Sequence, residues 1–180
     1  KLNTQDGYSG FKALIFPDSQ CTDYRTWREL AQAAYERNRN AAFFFYIGDM
    51  VDNGQHQSQW EQWLFGIEGF SGDLPLAPVI GNHETYSVDW SVKMPQAYTN
   101  LFYVPENGLG QYRHQFYSFN YGDVHFTVLD TNYDDELMAF QPKLREDQLK
   151  WLEQDLANTQ AKWKVVLMHR DIFIYGFGPK

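Results

Sequence analysis

The length, composition and charge of the chain exclude several classes of protein. It has 180 residues, 43% of them hydrophobic and 18% aromatic, so residues 1–180 are predicted to form one domain around a packed core. The formal net charge of −8 repels phosphate backbones, which argues against a specific nucleic-acid partner unless bound cations reverse the local charge. The lone cysteine, Cys21, excludes an internal disulfide and a multi-cysteine zinc site, and no apolar run is long enough for a membrane helix.

Strands and helices are predicted to alternate along the first part of the chain. Residues 11–16 form a short apolar run that predicts a strand, and Thr22 or Asp23 can cap a helix that runs to about Arg39. The apolar run 41–47 predicts a second strand. A strand, helix and strand in this order predict a parallel pair with a right-handed crossover.

The middle of the chain is predicted to be less regular. Residues 55–65 have helical spacing, and the proline-containing run 74–80 predicts a short or edge strand. Residues 85–113 are predicted to be irregular, with a helix near 92–99. A loop of this length in a compact domain is often functional.

The last third of the chain combines a hairpin, a helix and a strand. The strand-like runs 116–121 and 124–130 flank Gly122-Asp123, which predicts a tight hairpin. Residues 143–158 predict an amphipathic helix whose apolar side carries Leu149, Leu152 and Leu156. Residues 164–168 predict a buried strand that ends at His169.

Side chains that can bind metals follow four of the predicted strands. They are Asp18 with Gln20, Asp49 with Asp52, Asn82 with His83, and His169. In α/β proteins the carboxyl ends of the strands form the functional edge of the sheet. Carboxylates gathered at one edge repel each other without a cation, and oxygen donors with a few imidazoles suit Mn, Fe or Zn.

Two stretches resemble the motifs of a known family. Residues 48–52, Gly-Asp-Met-Val-Asp, resemble the GDxxD motif of the calcineurin-like metallophosphoesterases, and residues 81–84 match their GNHE motif. The resemblance covers about residues 11–175, and the aromatic richness is similar to that of the purple acid phosphatase branch. It implies an α/β fold, a four-layer α/β/β/α sandwich that is incomplete at the C-terminus.

The resemblance also implies a reaction and two metal ions, divalent or trivalent, of Mn, Fe or Zn. Asp18 would bind the first ion, Asp49 would bridge both, and Asn82 and His169 would bind the second. A metal-bound hydroxide would attack the phosphorus of a small phosphate mono- or diester. No membrane partner is implied, and the oligomeric state is left open.

Two further side chains are implied to act on the substrate. His83 would contact the phosphate or protonate the leaving oxygen, and Asp52 would orient His83. A helix N-cap is the alternative role for Asp52. Arg170 is predicted to form a surface salt bridge rather than to contact phosphate, and His56, His114 and His125 have no convincing partners.

The sequence departs from the family pattern in three places. Gln20 stands where the first motif, Asp-x-His, has its histidine, and its amide oxygen would be a weaker ligand. Asp52 stands where purple acid phosphatases carry the tyrosine that colours their ferric site, so we expect a colourless protein. The final Gly-His-x-His motif is absent, so we expect a fragment that lacks two histidine ligands and is weakly active or inactive alone.

Two other classes of function remain open at this point. The first is a non-catalytic relative that binds metal or ligand, which Gln20 and the missing final motif favour. The second is an extracellular carbohydrate-binding module in which Asp18, Asp49 and Asn82 hold a structural calcium ion. The GNHE stretch disfavours the module, because calcium sites rarely use histidine.

Overall fold

The computed structural model describes residues 10–134 and 136–171, and their strands form two three-stranded sheets. The first sheet is parallel, and its strands follow the chain order: β1 (Ala13–Phe16), β2 (Phe43–Ile47) and β3 (Leu76–Val79). The strands of the second sheet are β4 (Tyr117–Tyr121), β5 (Val124–Val128) and β6 (Trp163–Leu167). Strand β5 lies in the centre, antiparallel to β4 and parallel to β6.

The helices connect and cover these strands. They are α1 (Arg25–Arg37), α2 (Gln57–Ile67), α3 (Gln96–Leu101) and α4 (Leu144–Asn158), with 3₁₀ turns at His83–Thr85 and Gly110–Tyr112. Within residues 10–134 and 136–171, no helix combines the length and the apolar character that crossing a membrane requires. The predicted helices are confirmed, although α2 begins and ends two residues later than expected and α3 is shifted towards the C-terminus.

The side-chain alternation along β2 produces the layers of the fold. Phe44 and Tyr46 point to one face and pack with Trp27 of α1 and Trp63 of α2. Phe43 and Phe45 point to the other face and pack against the second sheet. Successive strand residues face opposite sides, so an all-apolar strand is buried on both. Each fully buried ring contributes roughly 1.5–3 kcal/mol to stability.

The second sheet is covered on its outer face by α4. The helix packs Leu144 and Trp151 against Phe116 and Leu129, which flank the hairpin. With α1 and α2 on the opposite side, the order of layers is helices, sheet, sheet, helix. The predicted α/β/β/α arrangement is therefore confirmed.

The structure corrects the predicted apolar face of α4. Leu149 is about half exposed, whereas Leu144, Gln148 and Trp151 are buried. Gln148 tolerates burial because its amide accepts the Asp130 N–H at 2.8 Å and donates to the Asp130 carbonyl oxygen at 2.8 Å. A polar residue with both amide ends paired can occupy a buried position that periodicity assigns to leucine.

The prediction that β6 is a buried strand is wrong. Among the described residues it forms the edge of its sheet, and Trp163, Val165 and Val166 are exposed, while Leu167 is buried. The hairpin and the short edge strand β3 are confirmed. The hairpin turn places Gly122 at a φ of +55°, a conformation in which glycine has no steric cost.

Candidate metal centre

The carboxyl ends of four strands meet at one edge of the sandwich. Asp18 follows β1, Asp49 follows β2, Asn82 follows β3 and His169 follows β6. One potential ligand atom from each of Asp18, Asp49 and His169 lies within 4.8 Å of the others. Three residues separated by up to 151 positions in sequence, from 18 to 169, thus form one compact group.

A sharp turn at the end of β2 places Asp49 in this group. Gly48 and Asp49 have φ values of +78° and +54°, in the left-handed region that glycine and aspartate tolerate best. A side chain at Gly48 would put a Cβ atom 2.6 Å from the His169 ring, so glycine also permits the close approach of the imidazole. The backbone N–H groups of Ser19 and Gln20 donate to the Asp49 carbonyl oxygen at 3.1 Å each, which joins the first two loops.

Asp49 is the central acceptor of the site and is 4% exposed. Its Oδ1 accepts the His83 backbone N–H at 2.9 Å, and its Oδ2 lies 3.1 Å from His169 Nε2. His169 Nδ1 lies 2.7 Å from the Ile47 carbonyl oxygen, which can only accept, so Nδ1 carries a hydrogen and Nε2 faces Asp49. Burial opposes the charged imidazolium, but the Asp49 carboxylate outweighs it and raises the pKa of His169.

Gln20 and Asp18 complete the group on its more open side. The Asp18 side chain is 53% exposed and lies 3.7 Å from His169 Nδ1. Gln20 Nε2 lies 3.4 Å from Asp49 Oδ2, whereas its Oε1 is buried and has no hydrogen-bond partner. The donor set of carboxylates, an amide oxygen and an imidazole fits Mn, Fe or Zn, and the buried Gln20 oxygen without a partner is an available ligand for such an ion.

Glu84, the last residue of the GNHE stretch, is a structural centre that motif reasoning missed. It is fully buried, and its carboxylate accepts the backbone N–H groups of Asp49, Met50 and Gly81 at 2.9, 2.8 and 2.7 Å. Burial and the nearby Asp49 charge raise the pKa of Glu84. The feature of the sequence that could have indicated this role is an acidic residue in the turn after a buried strand, β3. The carboxylate ties together the two loops that carry Asp49 and Asn82.

His83 lies against Asp49 and Asp52 as the prediction requires, but Asp52 contacts it differently. His83 Nδ1 donates to the Asp52 backbone carbonyl oxygen at 2.8 Å, while the Asp52 carboxylate lies 3.6 Å away. His83 Nε2 lies 3.9 Å from Asp49 Oδ2. The rings of Tyr86 and Trp90 pack edge-on beside His83, with centroids 5.3 and 5.9 Å from it.

Asn82 is held by a closed ring of hydrogen bonds that we call the Asn82 ring: Asn82, Tyr86, Glu136 and Arg170. Arg170 Nε donates to Asn82 Oδ1 at 3.2 Å, and Asn82 Nδ2 donates to the Tyr86 hydroxyl at 3.3 Å. The Tyr86 hydroxyl and both terminal nitrogens of Arg170 donate to Glu136. The predicted salt bridge of Arg170 is confirmed, but it is largely buried rather than at the surface, since the side chains of Arg170 and Glu136 are 13% and 4% exposed.

The fold and the site define the class of protein. A sequence profile described as calcineurin-like phosphoesterase matches residues 11–180, and the chain belongs to this family. The carbohydrate-binding alternative is therefore set aside.

Within the family, the similar proteins are purple acid phosphatases. The chain is 30% identical to Purple acid phosphatase 15 of Arabidopsis thaliana over 117 residues, which are 63% of this chain and 20% of that protein. It is 32% identical to Purple acid phosphatase 13 of the same plant over 124 residues, which are 66% and 21% of the two chains.

Two further comparisons extend this relationship. The chain is 28% identical to Probable inactive purple acid phosphatase 1 of Arabidopsis thaliana over 140 residues, 70% of this chain and 21% of that protein. The fold is similar to that of purple acid phosphatase PPD1 from yellow lupin, with a TM-score of 0.67 and 21% identity, over 88% of this chain and 30% of that one. The chain thus spans about a fifth of the length of these curated relatives.

Proposed function

We propose that this chain carries a dinuclear metal site that hydrolyses small phosphate mono- or diesters. The observation that carries the proposal is the group formed by Asp18, Asp49 and His169, next to the unpartnered oxygen of Gln20. Two carboxylates facing one imidazole attract a cation. Two bound metal ions would supply an activated water and positive charge for the phosphoryl oxygens.

The residues of this chain would hold the ions and place the substrate. Asp18 and Gln20 would bind the first ion, Asp49 would bridge, and Asn82 and His169 would bind the second. Buried Asp49, anchored by the His83 N–H, offers its other oxygen to the cations. The Ile47 carbonyl oxygen fixes the His169 tautomer, so that Nε2 is the nitrogen available as a ligand.

His83 and Asp52 are the proposed groups on the substrate side. The Asp52 carbonyl oxygen holds the Nδ1 hydrogen of His83, so Nε2, when protonated, would donate a hydrogen bond to a phosphate oxygen or a proton to the leaving oxygen. The Nε2 atom lies 3.9 Å from Asp49 Oδ2, so it would be close to the proposed metal ions. Tyr86 and Trp90 form one wall beside this imidazole, where the leaving group would lie.

The experiment is hydrolysis of p-nitrophenyl phosphate and bis-p-nitrophenyl phosphate with added Mn, Zn or Fe. It is run on this chain, on any longer natural form of it, and on Asp49→Asn in each background. We expect metal-dependent hydrolysis, stronger in a longer form, that Asp49→Asn abolishes. Cation binding without hydrolysis by either form would contradict the proposal.

The second candidate is a metal-binding relative without turnover. Gln20 favours it, because an amide oxygen is a weaker ligand than the imidazole expected at this position. One similar protein carries the name Probable inactive purple acid phosphatase 1. Gln20→His distinguishes the two candidates, since hydrolysis gained by this variant alone would identify a site that lost activity through Gln20.

A further inference from the structure

The donors and acceptors of the Asn82 ring can be arranged in one direction only. A guanidinium has donors but no acceptor, and an ionised carboxylate has acceptors but no donor. Arg170 therefore donates both to Asn82 Oδ1 and to Glu136. The Tyr86 hydroxyl gives its hydrogen to Glu136 at 2.8 Å, so its oxygen is left to accept from Asn82 Nδ2.

This direction decides which end of the Asn82 amide is the oxygen. A flipped amide would place its NH₂ group against Arg170 Nε, which is also a donor, and its oxygen against a hydroxyl whose hydrogen Glu136 already holds. The two ends of an amide have nearly the same shape, so only such partners can fix its orientation. Only the oxygen can bind a cation, and Oδ1 keeps a second lone pair after accepting from Arg170.

The charges of the ring cancel close to Asn82. The Arg170 guanidinium faces Glu136 with two nitrogens, and both side chains are largely buried. A buried, neutralised pair contributes geometry without a strong field that would repel a cation. The Arg170 backbone N–H also donates to Thr131 Oγ1 at 3.1 Å, which anchors the chain next to His169.

We propose that Tyr86, Glu136 and Arg170 are positioning residues that hold the Asn82 oxygen towards the second metal and thereby set the affinity of that position. The inference rests on the proposed dinuclear site. Outer partners of metal ligands commonly change metal affinity by about 10- to 100-fold. Losing one ring member weakens the second position and leaves the first unchanged.

The sharpest test is Tyr86→Phe, because it removes one hydroxyl and keeps the ring beside His83 and Trp90. Without the hydroxyl, Asn82 Nδ2 loses its partner, and Arg170 Nε alone is left to orient the amide. Tyr112→Phe is the matched control, since its hydroxyl also donates to a carboxylate, that of Asp147 at 2.8 Å on α4. Asn82→Ala identifies which binding step belongs to the second position.

The measurement is a Mn²⁺ titration of the unchanged protein, Tyr86→Phe, Tyr112→Phe and Asn82→Ala. Binding is monitored by calorimetry and by the electron paramagnetic resonance signal of free Mn²⁺. We expect two binding steps in the unchanged protein and loss of one step in Asn82→Ala. In Tyr86→Phe the dissociation constant of that same step rises about tenfold or more, while the other step and Tyr112→Phe remain unchanged.

The other outcomes separate the two proposals. Two steps with Tyr86→Phe unchanged, or with both steps weakened equally, would overturn the positioning role and leave the dinuclear site standing. A single step that Asn82→Ala does not alter would overturn the dinuclear site, and the positioning role with it.

Discussion

Two clusters of the same residue types lie in different parts of the molecule: one around Asp155 and the other at the candidate metal centre. In the Asp155 cluster, the carboxylate is paired with hydrogen-bond donors at both oxygens. Asp155 on α4 accepts hydrogen bonds from Ser118 at 2.6 Å, Thr127 at 2.8 Å and His125 Nε2 at 2.8 Å. Burial opposes ionisation, but these donors outweigh it and lower the pKa of Asp155. A single carboxylate with three donors binds α4 to the second sheet.

The candidate metal centre has the opposite balance of donors and acceptors. Asp18 and Asp49 share one imidazole, His169, and Gln20 contributes an oxygen without a donor. Both clusters contain aspartate, histidine and a polar neutral side chain, so composition does not separate them. The excess of acceptors at the candidate metal centre separates the two clusters, because unpaired buried oxygens are costly unless a cation or another donor compensates them.

The largest effect predicted from this contrast follows from Asp49→Asn. Asparagine tolerates the positive φ of Asp49 and can still accept the His83 N–H, so the fold is expected to persist. The variant removes the charge of the proposed bridging ligand, and we expect a loss of hydrolysis on the order of 10³-fold or more and loss of at least one bound cation. Steady-state kinetics and calorimetric metal titration measure both.

The control for this variant is Asp155→Asn, which changes the same group in the Asp155 cluster. Metal binding should be unaffected there. Equal losses of cation binding in both variants would contradict the distinction between the clusters.

The second prediction concerns pH and a third carboxylate, Asp130. It is fully buried and accepts hydrogen bonds from Asn132 and Gln115, but burial dominates and raises its pKa to about 6. The folded protein therefore holds this proton more tightly than the unfolded chain. Stability falls as the pH rises through the window from about 4 to about 6, by up to about 3 kcal/mol.

Asp130→Asn should flatten this part of the profile. The measurement is the free energy of unfolding in urea between pH 4 and pH 8, for the variant and for Asp123→Asn in the exposed hairpin turn. The unchanged protein should lose stability relative to Asp130→Asn as the pH rises. A difference that stays constant with pH would mean that Asp130 is ionised in the folded protein throughout this range.

The third prediction returns to Asp155, whose lowered pKa has the opposite consequence. Its contribution to stability is present above the pKa of an unfolded aspartate and is lost as the pH falls. Asp155→Asn leaves one of three donors without its acceptor, so we expect a loss of about 1–2 kcal/mol at pH 7 that shrinks at acid pH. Urea unfolding at pH 7 and at about pH 3, below the pKa of an unfolded aspartate, tests this sign.

The contrast between the clusters also explains what the sequence could predict. The ends of the strands could be predicted from the sequence, because Phe43–Ile47 is an unbroken apolar run and the turn at Gly48 follows it. The gathering of Asp18, Asp49 and His169 followed from parallel strands that end at one edge.

The hydrogen-bond partners of the site residues could not be predicted from the sequence in this way. Glu136 lies 34 residues before Arg170, and no periodicity links the two. Whether β6 is central or at an edge depends on which strands pair. Its apolar residues alone therefore predicted a buried strand, which the exposure of Trp163, Val165 and Val166 contradicts. Gln148 was assigned no role because its two bonds to Asp130 depend on tertiary packing.

The smallest predicted effect concerns Trp90 beside His83. Trp90 is 57% exposed and has a φ of +63°, a rare conformation for a tryptophan, held by its N–H bond to the Ser87 carbonyl oxygen at 2.8 Å. Strained, exposed residues cluster at binding sites, and the proposed leaving-group position lies against this ring. An aryl leaving group would stack there, whereas an alkyl group would gain little.

Trp90→Ala isolates the ring, because alanine meets a similar backbone cost at this φ. We expect kcat/KM for p-nitrophenyl phosphate to fall about two- to tenfold, mainly through KM, with glycerol phosphate unaffected. Trp163→Ala on β6 is the matched control, since Trp163 is 62% exposed and lies on an edge strand. Equal losses for both esters would mean that Trp90 supports His83 rather than the leaving group, because a shifted imidazole slows every substrate.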